Sequence, residues 1–84
     1  MNAKEFFAHI LSSENMQAVV NCESLPVVEI EEDECRAAYK NLSALKRCML
    51  KHRVSRYVEA FASRRTSQAR EQYLMLYRLK EILI

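Results

Sequence analysis

The sequence predicts an all-α fold, with short N-terminal helices packed on a long central helix that forms an antiparallel hairpin with a C-terminal helix. Three observations predict it. First, the 84 residues include no Gly and one Pro, which removes glycine-dependent strand turns and glycine-rich phosphate loops and leaves good helix formers to set local preference. Second, residues 33–62 run without Gly or Pro and repeat apolar side chains at helical spacing. Third, another apolar segment, residues 67–84, follows a short polar break and is placed to return beside the first.

Chain length and composition limit what this fold can be. Half of the residues are hydrophobic, enough for one small core in a single domain, 1–84, but too few for a large enclosed pocket. No apolar run approaches the roughly 18 to 20 residues that span a bilayer, and Lys4, Glu5 and His9 surround the two N-terminal Phe residues where a signal peptide would be uniformly apolar. A soluble cytoplasmic chain is expected. Its three Cys residues, at 22, 35 and 48, lie too far apart for a zinc knuckle and are expected to be reduced thiols. The net charge of +2 conceals a division, because residues 1–34 carry eight acids against Lys4 whereas residues 35–84 carry twelve bases against Glu59, Glu71 and Glu81. Attraction between the two halves within one fold is the first reading of that asymmetry, and a basic surface for an acidic partner is the second.

The N-terminal helices are assigned to residues 3–25. Asn2 followed by Glu5 has the form of a helix start, so a first helix should begin at Ala3 and present Phe6, Phe7, Ile10 and Leu11 as an apolar stripe. Ser12-Ser13-Glu14-Asn15 should break it, and a second short helix through Val20 should turn Met16, Val19 and Val20 inward. Asn21 to Leu25 then connects, since Pro26 disfavours helical geometry at Leu25. Residues 26–33 read as an acidic extended linker with Val28 and Ile30 tucked under the helices, because no second strand-like segment exists to pair with them. The acids from Glu29 to Glu34 suit the positive start of a helix, with Asp33 as its N-cap, better than a metal or acid-base site.

The long helix is assigned to residues 34–62. One of its faces holds Cys35, Ala38, Leu42, Leu45 and Met49, and another, a quarter turn away, holds Leu50, Val54, Tyr57 and Phe61. The second set is spaced as a hairpin seam and should face Tyr73, Leu76 and Leu83, with Ala69, of the C-terminal helix 67–84. Thr66 or Ser67 can cap that helix after a turn carrying Arg64 and Arg65. Its remaining apolar residues, among them Leu74, Met75, Tyr77, Ile82 and Ile84, exceed what one hairpin partner can cover. They are either covered by the N-terminal helices or open to another molecule.

No constellation in the chain fixes a catalytic activity, so no enzyme, cofactor or metal site is expected. Cys48 and His52 share a helix turn, but Cys35 lies well round the same helix and Cys22 on another segment. Cys35 with His9 or His52 lacks a placed third residue and an oxyanion turn. Leu76-Tyr77-Arg78 spells the tripeptide of LYR assembly factors, but there it opens a first helix, whereas here it lies near the end of the last one.

Residues 27–84 run in the order of an acidic run, Ala37-Ala38, Leu42-x-x-Leu45, a basic helix to Phe61, a polar turn, then Glu71-x-x-x-x-Leu76-x-x-Leu79-Lys80. This order resembles the C-terminal end of bacterial replicative primases. The resemblance implies a terminal helical hairpin that docks on the replicative helicase in DNA replication. Arg64, Arg65, Leu74, Tyr77, Arg78 and Ile82 are then the expected partner-binding residues. Two readings stay open beside it. A nucleic-acid binder would use the basic stripe Arg36, Lys40, Arg47 and Lys51, with the turn arginines, to neutralise phosphates. A phage or secretion-system adaptor or inhibitor would hold one host protein.

Overall fold

In the computed structural model, residues 2–12 and 28–83 are described. Helix α1, Ala3–Leu11, starts where Asn2 holds an extended backbone and its side-chain oxygen accepts the Glu5 N–H at 2.8 Å. A carboxylate completes that end, as Glu34 Oε1 accepts the Ala3 N–H at 2.9 Å. The far end is closed by a cation, with Arg53 Nη1 donating to the carbonyls of Ile10 and Leu11, both at 2.8 Å. Opposite charges thus sit at the two ends of the α1 dipole, in the favourable sense at each. The expected second N-terminal helix and its connector lie outside the described residues.

Residues 28–31 run extended, as expected, and are held from the far side of the domain. The Val28 N–H donates to Met75 Sδ at 3.3 Å, and Ile30 is buried. Helix α2, Glu32–Lys40, then begins on Glu31, which makes no side-chain cap bond. Asp33 is therefore not the cap but a first-turn residue. Glu32, Asp33 and Glu34 all lie in that turn, the end whose partial positive charge favours acidic residues.

The main departure from expectation follows. The long helix over residues 34–62 is two helices, α2 and α3 (Ala44–Ala62), separated at Asn41, Leu42 and Ser43. Asn41 closes α2 with its N–H on the Ala37 carbonyl at 3.2 Å, and the Leu42 N–H tightens the exit onto the Tyr39 carbonyl. Ser43 turns extended, and its hydroxyl accepts the Lys46 N–H at 3.2 Å. Short polar side chains that bond nearby backbone favour helix boundaries, and here the Ser43 hydroxyl starts the next helix. An unbroken helix would carry the nine residues of α2 about 14 Å beyond the hairpin. The break lets α2 fold back instead.

Helix α3 leads through residues 63–66 into α4, Ser67–Leu83. Thr66 caps α4, its hydroxyl accepting the Ala69 N–H at 3.1 Å. No described residue has a positive φ, so these turns are built from ordinary right-handed and extended conformations in a chain without glycine. The resulting architecture is all-helical among the described residues. The helices close a ring in which α1 lies on α2 and α3, α2 lies on α4, and the antiparallel α3/α4 hairpin is the most extensive contact.

One core fills that ring. Phe6, Phe7 and Ile10 enter from α1, Ile30 and Cys35 from the second segment, and Leu50, Val54, Tyr57, Val58 and Phe61 from α3. The α4 side is Ala69, Gln72, Met75, Leu76, Leu79 and Leu83. Apart from Met75 these step by three, four, three and four, the seam of an antiparallel pair. Tyr73, expected in that seam, is only half-buried, and buried Gln72 and Leu79 occupy the register beside it. A polar Gln at position 72 disguised the true phase. Leu45, expected on an apolar face of the long helix, is 71% exposed. With the break at 41–43 it no longer shares a face with Cys35 and Ala38.

Candidate functional site

Helix α4 presents two opposite characters. Its seam is closed against α3, while α2 and the extended segment cover a flank that includes buried Met75. Among the described residues that flank is covered by α2 and residues 28–30. The face turned outward carries Arg70, Leu74, Tyr77, Arg78 and Glu81, all exposed. They share a face because steps of three and four return to nearly the same bearing on a helix. Leu74 is 55% exposed and Tyr77 45%, two of the three large hydrophobic side chains open to solvent among the described residues. The third, Leu45, lies in the first turn of α3, at the opposite end of the hairpin from the connecting turn.

The six expected partner-binding residues divide. Leu74, Tyr77 and Arg78 come together on the outward face of α4. The Tyr77 ring leans on Tyr73, centroids 5.9 Å apart and planes 37° apart. Ile82 is half-buried and packs against the core, so it does not belong to the open face. Arg64 and Arg65 lie on the turn before α4. Arg64 is placed over the Phe61 ring, 4.9 Å from its centroid, and Arg65 is exposed.

The basic stripe does not form as expected. Arg36 and Lys40 are on α2, while Arg47 and Lys51 are on α3, so the break removes their common face. Arg36 pairs with Glu32 on its own helix, and Lys51 sits over the Tyr39 ring at 5.6 Å. Arg47 has its Nε shut off from solvent without a hydrogen-bond partner among the described residues. Two salt bridges between described residues, Glu32–Arg36 and Arg56–Glu59, are local, each within one helix. One polar link between the halves is Arg53, which donates to the Ile10 and Leu11 carbonyls at the end of α1.

Cys35 is buried, and that burial, with the adjacent Glu34 carboxylate, pushes its thiol up, while Arg78 opposes the shift more weakly. A thiol raised in this way is a poor nucleophile at neutral pH. Cys48 is exposed, and among the described residues no three His, Cys, Asp or Glu gather to hold a metal ion. No described helix is long and apolar enough to cross a membrane. The missed features are Arg53 and Gln72, and neither carries a motif: their roles depend on which helix lies opposite.

At the level of the whole chain, no family model, curated protein or solved structure matches.

Proposed function

We propose that this chain is a non-catalytic protein-interaction module that docks on a partner through the outward face of α4. One observation carries the reading: Leu74 and Tyr77 stand together in solvent on a helix whose other faces are packed. Exposed apolar residues are ordinary when scattered singly. Here a Leu and a Tyr are rimmed by Arg70 and Arg78, and Tyr and Arg are among the residue types that dominate binding energy at protein interfaces. The primase-like order of segments makes a replicative helicase the first partner to test, and a phage or secretion adaptor would use the same face on another protein.

The test is capture of the bacterial replicative helicase by the immobilised chain, with and without nuclease and across a salt series. Docking through Leu74 and Tyr77 predicts retention that survives nuclease and changes little with salt. Nucleic-acid binding predicts nuclease-sensitive retention that falls steeply with salt, because counterion release sets the affinity. A helicase not retained under any condition removes it as the partner.

A further inference from the structure

We propose that the outward face of α4 pairs with the same face of a second copy of this chain, the two helices running antiparallel about a twofold axis between Leu74 and Tyr77. The proposal rests on the reading of this face as a protein-docking surface and names one occupant for it. Arg70, Leu74, Tyr77 and Glu81 are all exposed and follow one another by four, three and four residues, the spacing of a helix–helix seam. At about 100° per residue they share a bearing to within roughly 60°. Helix α4 thus carries on its outer side the same kind of spacing that Gln72, Leu76, Leu79 and Leu83 use on its inner side.

The order of charges along the outer seam selects the partner. An arginine stands at one end, a glutamate at the other, and the two apolar side chains lie between them. A twofold contact uses the same patch on both copies, so each residue meets the one equally far along on the other side of the axis. Arg70 and Glu81 each lie about 8 Å from that axis at about 1.5 Å per residue, so each arginine faces the other copy's glutamate, and Leu74 faces Tyr77. Exposed Glu71 and Arg78 share one flank of the seam. Like flanks face each other in an antiparallel pair, which brings each Arg78 within about 3 Å, measured along the helix, of the other copy's Glu71. Arg70, Glu71, Arg78 and Glu81 therefore all meet the opposite sign, whereas a parallel pair would set Arg70 on Arg70 and Glu81 on Glu81. Exposed ion pairs add little affinity, so these fix the register while Leu74 and Tyr77 supply the attraction.

A contact between two single helices is at the small end of specific interfaces, so the dimer should be weak, with a dissociation constant on the order of 100 µM. The experiment is sedimentation equilibrium of the full chain from about 10 µM to about 1 mM, a range that brackets this value. Wild type should pass from monomer to dimer. Arg70→Glu and Glu81→Arg each set like charges across both ends of the seam, so each should weaken the dimer at least about tenfold. Both are at exposed positions, and circular dichroism should show unchanged helix. An equimolar mixture of the two variants should recover the dimer, because each facing pair at the ends is then again of opposite sign. A chain that stays monomeric throughout overturns the self-pairing alone, since docking of another protein on this face is read separately, from Tyr77→Ala and partner affinity. A dimer indifferent to both charge reversals, or a mixture that stays monomeric, also overturns it.

Discussion

Leu79 and Tyr73 show at the scale of single residues how a seam is set by its neighbours rather than by its own letters. By spacing, Tyr73 and Leu76 look like consecutive seam residues, but Leu79 is fully buried and Tyr73 only half-buried. Leu79→Ala should therefore cost about 2–5 kcal/mol. Tyr73→Ala should cost distinctly less, and denaturant titrations giving the reverse order would return the seam to the register read from the sequence. Cys35 gives a second prediction. Its thiol is pushed up by burial in the fold, so above about pH 8.5, the ordinary thiol value, the unfolded chain releases that proton first. Unfolded protein then binds fewer protons than folded, and stability must fall as pH rises. Between pH 8 and 10 the loss should be shallower for Cys35→Ala than for wild type. Parallel pH profiles would mean that the thiol ionises equally in both states.

Element boundaries were legible where a cap had a recognisable partner and obscure where it did not. Asn2 with Glu5 marked the start of α1, and the pair Thr66 and Ser67, of which Thr66 is the cap, marked α4, because each cap precedes an apolar repeat in the same helix. The break at 41–43 was obscure for a physical reason: Asn41 and Ser43 are as compatible with a solvated helix surface as with two caps, and no Gly or Pro announces the stop. Tertiary packing of α2 on α1 and α4 decides between them. Ser43→Ala should cost about 0.5–2 kcal/mol, the usual loss for an N-cap hydroxyl. If stability instead rises, α2 and α3 gain by merging and the break is not what the packing requires. The last helix was read correctly as too apolar for one partner, but α2, which covers part of the excess, could not be placed on it while the break was missed.

For the whole molecule, the all-helical class and the hairpin followed from composition and periodicity, whereas the closed ring depended on Arg53, Glu34 and the break. The same closure separates covered from open surface, leaving Met75 inside and Leu74 with Tyr77 outside. The central claim is that this open face docks a protein. It is tested most directly by comparing Tyr77→Ala with wild type in two measurements on the same preparations, free-state unfolding by denaturant and affinity for the captured partner. Docking predicts stability nearly unchanged and affinity weaker by about 1–2 kcal/mol, roughly 5- to 30-fold. A free protein destabilised by several kcal/mol, or an affinity that does not change, would contradict it.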